Sequence, residues 1–306
     1  MNDFLFNKTL IIGVGLIGSS IARALREYKL SSEIYGIDTN ENVLIKCKDL
    51  NILTDGKKNI HNFSIQFDLI IICTPLGSYK KIFLKINDFV NQPTIITDVG
   101  STKESVINDY QANCNNNLVQ FVPGHPIAGL EKSGPEYGFT KLFVNRFCIL
   151  TPQDDKMSAI KPVKKMWEKF GMKVEFMEAN HHDKILAMTS HVPHLIAYSI
   201  VGTAKELEKH LRDEVIKYSA AGFRDFTRLA GSDPIMWRDV YMLNKDSVLE
   251  MLGRFTEDLT SLQKAIRNND TELLEKIFIS TKKIRNLIEL SGQAGHFDPT
   301  EKKTKK

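Results

Sequence analysis

A short glycine-punctuated turn, Gly13-Val14-Gly15-Leu16-Ile17-Gly18, constrains this chain more than any other stretch. An apolar, β-type segment from Thr9 to Val14 leads into it, and Leu16, Ile17, Ile21, Ala24, Leu25 and Tyr28 recur behind it at helical spacing. Strand, tight turn and helix in that order give each glycine a separate task. Gly13 permits the turn, Gly15 lets the backbone approach a pyrophosphate, and Gly18 lets the helix pack closely on the strand. The unpaired N–H groups at the helix start, where Leu16 and Ile17 lie, favour negative charge.

A glycine turn alone fits many strand–helix junctions, and the second strand narrows the choice. Glu33 to Asp38 reads as that strand, with Asp38 twenty residues after Gly18. A carboxylate there accepts hydrogen bonds from ribose hydroxyls and repels a 2′-phosphate, so the expected cofactor is NAD. The local alternative is an Asp that starts the next helix together with Thr39 and Asn40.

At 306 residues the chain has room for two domains. Its net charge of +4 is small and mixed in sign, which argues for no nucleic-acid or membrane partner. The only basic cluster, Lys302 to Lys306, reads as a solvated tail. Cys47, Cys73, Cys114 and Cys148 are scattered without metal-type spacing. With no leader-like start to carry them to an oxidising compartment, the thiols are expected free and the protein cytoplasmic. No apolar run in the sequence reads as a membrane span.

Strand and helix alternate through the first half, which predicts a Rossmann-type, mostly parallel α/β sheet with helices on both faces. Strands are expected at Asp68 to Cys73, Ile95 to Val99, Val119 to Val122, Arg146 to Leu150 and Lys173 to Met177. A Gly- and Pro-rich segment from Gly124 to Lys141 reads as a functional loop. After Glu178 every periodic segment reads as helix. The expected domains are therefore 1–178, a helical domain over 179–292, and a tail over 293–306. The last helices carry broad apolar faces, Leu249 to Ile266 and Leu273 to Ile288, which predicts a homodimer through them.

Ligands of open parallel sheets bind beyond the carboxyl ends of the strands. Thr74 and Pro75 arrive there as neutral groups suited to lie against the cofactor, and Ser101 and His125 arrive at the same edge. His125, between Gly124 and Pro126, has a constrained backbone and the side chain best suited to take a proton near neutrality. Ser101 could equally cap a helix, with Glu104 completing a capping box. His191 and His194 share a helix face, but no nearby acid or thiol completes a metal site. Arg224 and Arg228, interleaved with Phe223 and Phe226, suit an anionic small molecule, since guanidinium binds carboxylate bidentately; the alternative is surface ion pairing.

In this order the motifs resemble the prephenate and arogenate dehydrogenases. The resemblance is carried by the glycine turn with Asp38, Asp98 to Lys103, Gly124 to Gly129, Ser190 to His194, and Phe226-Thr227-Arg228 with Ser232 to Asp239. It implies NAD-dependent oxidative decarboxylation of prephenate, with arogenate as the alternative. It further implies His125 as base, Ser101 orienting the reacting hydroxyl, Arg228 on the ring carboxylate, His194 near the side chain or nicotinamide, and Arg224 on a second anionic group. A β-hydroxyacid dehydrogenase with Lys184 as its catalytic lysine, and a non-catalytic NAD-binding sensor, are the competing readings; the former family does not carry the histidine loop at Gly124 to Gly129, and the latter would have no use for His125 and Arg228 together. Neither a fused mutase domain nor an appended regulatory domain is expected.

Overall fold

The structure, a computed structural model, describes residues 4–130 and 132–290. The expected tail over 293–306 lies outside the described residues. The chain forms two compact units, Met1–Val248 and Leu249–Lys306.

The first unit begins with alternating elements: β1 (Phe6–Ile12), α1 (Leu16–Glu27), β2 (Ser31–Ile37), α2 (Glu41–Asp49), β3 (Asp55–Lys57), β4 (Leu69–Ile72), α3 (Tyr79–Phe89), β5 (Thr94–Asp98), α4 (Glu104–Asn113) and β6 (Val119–Val122). The strands pair in parallel in the order β3-β2-β1-β4-β5-β6. This is the doubly wound order, whose crevice opens at the carboxyl ends of its strands. All four residues of β4 are buried, as expected of a strand covered on both faces. Its side chains alternate: Leu69 and Ile71 join one core with α1, while Ile70 and Ile72 join the other with α3.

The strand β3 was not anticipated. It is three residues long, polar and centred on Gly56, so it carries no apolar alternation to read. The Gly124 segment also departs from expectation, because its first residues form β7 (Gly124–Pro126), antiparallel to β8 (Phe147–Leu150). With α5 (Ile160–Lys169) and β9 (Lys173–Phe176), these strands make a separate three-stranded sheet. Trp167 of α5 and Phe170, the residue that follows it, are fully buried with Phe143, with edge-on ring contacts at 5.6 and 5.5 Å about the indole. Each such side chain contributes roughly 1.5–3 kcal/mol by leaving water, which anchors the second sheet and the strand that carries His125.

Helices follow: α6 (Ala179–Leu186), a π-helical turn at Ala187–His191, α7 (Val192–Lys205), α8 (Lys209–Lys217), α9 (Ala221–Thr227) and α10 (Pro234–Leu243). The π turn has a local cause. Pro193 has no N–H and its ring crowds the carbonyl four residues back, so the ordinary ladder cannot run through it. Trp237 and Val240 of α10 enter the core that covers α3, and Asp239 Oδ2 accepts the Gly77 N–H at 3.3 Å. The continuous run Ala179–Lys205 reaches a mean hydropathy of 1.3 over its most apolar window, long and apolar enough to cross a membrane, which corrects the sequence reading. The same run carries the buried His182, Asp183 and His191, each hydrogen-bonded to neighbours in the first unit.

The second unit holds most of α11 (Lys245–Arg267) and α12 (Thr271–Leu290). Large apolar side chains lie exposed on both helices, among them Leu259, Ile266, Phe278, Ile284 and Leu287.

Candidate active site

The glycine turn does what its spacing implied. Gly13 has φ of +91°, and a Cβ there would lie 2.8 Å from the Cys73 carbonyl oxygen. At Gly18 a Cβ would stand 2.1 Å from the Gly13 carbonyl oxygen, so α1 can approach β1 only without a side chain. A Cβ on Gly15 would meet no protein atom within 4 Å, since it projects over the mouth of the crevice. Gly13, Gly15, Asp38, Thr74 and Pro75 line a cavity of about 430 Å³ there. Leu16, Ile17 and Gly18 do not line it; they start the helix whose first amides face the turn.

Asp38 lines the cavity rim and does not cap the next helix. Its Oδ2 accepts the Val14 N–H at 3.1 Å, which ties β2 to the turn, and its Oδ1 accepts the Asn40 N–H at 2.9 Å. The helix cap itself is Asn40, whose side chain accepts from Asn42. Further lining comes from Lys58, Asn59, Ile60, Ile82 and Ile86, which the sequence reading missed. Of these, Ile82 and Ile86 stand four apart on α3 just after Pro75, a spacing that could have marked them. The cradle and the carboxylate at its rim fit an adenine dinucleotide without a 2′-phosphate.

At the end of β5 lies a buried ion pair. Asp98 and Lys103 both have fully buried side chains, with Lys103 Nζ at 2.7 and 2.9 Å from the two carboxylate oxygens. Lys103 Nζ also donates to the Gly124 carbonyl at 2.7 Å. Asp98 in turn accepts the N–H groups of Gly100 at 2.8 Å and Gly124 at 2.9 Å, and the Tyr79 hydroxyl at 3.2 Å. The pair thus grips Gly124 by both its N–H and its carbonyl, one residue before His125.

His125 retains 9% of its exposure. Its Nδ1 lies 2.8 Å from Nε2 of the fully buried His182, whose Nδ1 lies 2.7 Å from Asp183 Oδ1. Burial pushes His125 well below the usual imidazole range, and nearby His182, Lys103 and His191 push the same way. Asp183 also accepts the N–H groups of Lys103 and Glu104 at 2.8 and 3.0 Å, and so caps α4 from another helix. The capping-box alternative for Ser101 is therefore overturned: the cap is Asp183, and Thr102 bonds Ser105 at 2.6 Å. His182 and Asp183 were missed in the sequence; an adjacent His-Asp pair at a helix start was the available signal.

The two histidines of the π turn and α7 grip one indole from two sides. His194 stacks on Trp237 at 3.8 Å between ring centroids, and His191 meets it edge-on at 5.9 Å. Burial lowers the His191 pKa to about 4, and its Nδ1 faces Asn244 Nδ2 at 3.1 Å. His194 Nδ1 donates to the Ser190 carbonyl at 2.8 Å, which leaves Nε2 to face other groups. Arg228 opens a 3₁₀ turn, Arg228–Gly231, that packs on α7. Arg224 lies apart from this cluster's buried groups, as an exposed side chain paired with Asp225 at 3.2 Å.

The cofactor cradle lies at the carboxyl ends of the parallel strands, the buried histidine follows β6 at that same end, and together they place this chain among the NAD-dependent oxidoreductases. Comparison with known proteins supplies the family. Residues 21–176 match the nucleotide-binding domain of prephenate dehydrogenase, and residues 178–280 match its dimerization domain. A cyclohexadienyl dehydrogenase of Zymomonas mobilis is 37% identical over 92% of this chain and 95% of its own length. The prephenate dehydrogenase of Bacillus subtilis is 33% identical over 90% of this chain and 75% of its own. Prephenate dehydrogenase from Aquifex aeolicus, solved with hydroxyphenyl propionate and NAD⁺, superposes with a TM-score of 0.84 at 34% identity, over 92% of this chain and 98% of that one. The chain belongs to the prephenate dehydrogenase family.

Because Lys103 neutralises a carboxylate with no exposure, Lys103→Met should destabilise the protein by about 3–5 kcal/mol, the usual cost of stranding a buried charge. Urea unfolding would measure it, and a loss below about 1 kcal/mol would mean that Asp98 is satisfied by its amide donors alone.

Proposed function

We propose that this enzyme oxidises prephenate to 4-hydroxyphenylpyruvate, with His125 as the base that takes the C4 hydroxyl proton. One observation carries this reading: a buried histidine, kept neutral by its surroundings, stands three residues beyond the carboxyl end of β6, in the parallel sheet whose strand ends carry the NAD cradle. NAD⁺, when bound, supplies the hydride acceptor. His125 removes the hydroxyl proton as the C4 carbonyl develops, and carbon dioxide leaves from the opposite ring carbon. Aromatisation drives the step, so the protein's part is to orient, desolvate and accept one proton.

The Ser101 hydroxyl has no hydrogen-bond partner among the described residues, which suits it to orient the reacting hydroxyl. Arg228 would hold the ring carboxylate, and His194, on the helix against which the Arg228 turn packs, would face the side chain. Arg224 receives no role in this reading. The cyclohexadienyl dehydrogenase relative favours arogenate as a second substrate.

The deciding assay is NADH formation by the purified protein with prephenate and with arogenate. Turnover of prephenate is expected, and His125→Asn should lower kcat about 10²–10⁴-fold with little change in the KM for NAD⁺. Since burial lowers the His125 pKa, the base stays neutral down through ordinary imidazole values. The acidic limb of the kcat profile should therefore fall below about pH 6.5, and it should vanish in His125→Asn. Near-normal kcat in that variant would remove His125 from the chemistry.

Arg228 is exposed in the structure and in this reading is covered by the substrate itself, so Arg228→Ala should raise the KM for prephenate at least roughly thirtyfold, as expected for loss of a desolvated bidentate contact of about 2–5 kcal/mol. Arg228→Lys should recover only part of it. Unchanged KM in the alanine variant would make Arg228 structural.

A homodimer through the exposed apolar faces of α11 and α12 completes the reading, supported by the match to a dimerization domain. Light scattering at micromolar concentration should give twice the 34.8 kDa chain mass; a monomer would count against it.

A further inference from the structure

The histidine that takes the proton is one end of a line of three side chains. Asp183 can only accept, and His182 Nδ1 lies 2.7 Å from its Oδ1, so His182 must donate from Nδ1. A neutral His182 then presents a lone pair at Nε2. His125 Nδ1, 2.8 Å away, must therefore carry a hydrogen and donate it. The lone pair of His125 is thereby fixed on Nε2, the ring nitrogen that bonds no protein atom among the described residues. Free imidazole favours no such assignment strongly; here the second histidine imposes it.

The charges around the pair bear on where a proton comes to rest. Around His125 stand Lys103 from the α4 start, His191 from the π turn, and the thiol of Cys148 on β8, with Asp98 committed to Lys103. An imidazolium at His125 would thus sit beside a buried ammonium with no carboxylate of its own. His182 differs, because Asp183 is hydrogen-bonded to it directly. Asn244 donates to the main-chain carbonyl of Asp183 at 2.8 Å, while the carboxylate accepts from the start of α4 as well as facing His182.

We infer that His182 is a positioning residue for the reaction: it holds His125 in its Nδ1–H tautomer and takes over the proton that His125 accepts. The inference rests on His125 being the base. In the step, the substrate O–H bond breaks and its electron pair becomes the carbonyl π bond as the hydride leaves C4 for NAD⁺. A bond forms from the proton to His125 Nε2. The His125 Nδ1–H bond breaks, and that proton bonds His182 Nε2. His125 ends neutral, and the positive charge rests on His182 against Asp183. As carbon dioxide leaves, its bonding pair passes through the ring to the C4 oxygen, and return of the proton along the same line through His125 Nε2 to that oxygen forms the product hydroxyl and resets the site. The direction of both pKa shifts agrees: burial lowers each histidine, but only for His182 does a bonded carboxylate oppose it.

The test uses the full-length protein labelled with ¹⁵N-histidine and saturated with NAD⁺, with the His125 signals assigned by their loss in His125→Asn. Above the acidic limb, His125 should show a protonated Nδ1 and an unprotonated Nε2; a protonated Nε2 would overturn the proposal without any variant. His182→Gln keeps an acceptor near the Nε2 position but cannot take a proton. It should lower kcat about 10–100-fold, with the KM for NAD⁺ and the melting temperature nearly unchanged. Proton inventories in mixed H₂O and D₂O under single turnover should be curved for the unmodified enzyme, with two protons in flight, and linear for His182→Gln. Equal kcat and equal inventories in the two would sink the relay. If His125→Asn itself kept near-normal kcat, the base assignment would fail instead, so the two failures are distinguishable.

Discussion

The buried Asp98–Lys103 pair holds the active edge of this protein together. Two opposite charges removed from water gain little net stability, since their attraction roughly offsets the desolvation they require. What such a pair does give is position. Asp98 ends β5, Lys103 stands at the start of α4, and both bond the backbone of Gly124 at the start of β7. Three elements that belong to different sheets and layers are thereby registered on one point. His125 follows Gly124 directly, so its ring inherits that registration.

The same ammonium has an electrostatic consequence. It lies near enough to His125 to disfavour an imidazolium there, and burial acts in the same direction. In the proposed reaction the base must be neutral to work, and these surroundings keep His125 neutral while making it a weaker proton acceptor. The proposed relay to His182 and Asp183 would offset that weakness from the other side of the ring. Asp183 does so while capping α4, so one carboxylate closes the helix that begins beside Lys103 and orients the histidine line. Structural and chemical duties converge on few residues because the crevice offers few donors and acceptors that are out of water.

The helical segment contributes through one deformation. Pro193 forces a π turn, and the displaced register turns His191 inward to Asn244 and Trp237 while His194 stacks on the other side of the indole. A straight α-helix with the same sequence would set these histidines differently. Trp237 in turn belongs to the core over α3, the helix that lines the cofactor cavity. The histidines of the helical segment and the helix lining the cofactor cavity are in this way coupled through packing, with the Asp239 bond to Gly77 alongside.

The sequence by itself determined the cradle. A turn needing positive φ at Gly13 and no Cβ at Gly18 is a local steric demand, and a carboxylate at the end of the second strand follows from a spacing that the strand and helix lengths impose. The parallel sheet was legible too, in the unbroken apolar run of β4, the apolar end of β1 and the alternation of strand with helix. So was His125, which local glycine and proline set at a strand's carboxyl end. Tertiary structure alone decided the rest. The short polar β3 has no pattern of its own and exists only because β2 offers it an edge. Lys103 entered the sequence reading only as the last residue of a motif, and only its burial against Asp98 makes it a pivot. His182 stands 57 residues from His125, and no periodicity relates positions on a strand and a helix of different layers. Hydrogen bonds across such distances are set by how layers pack, which depends on the whole core at once.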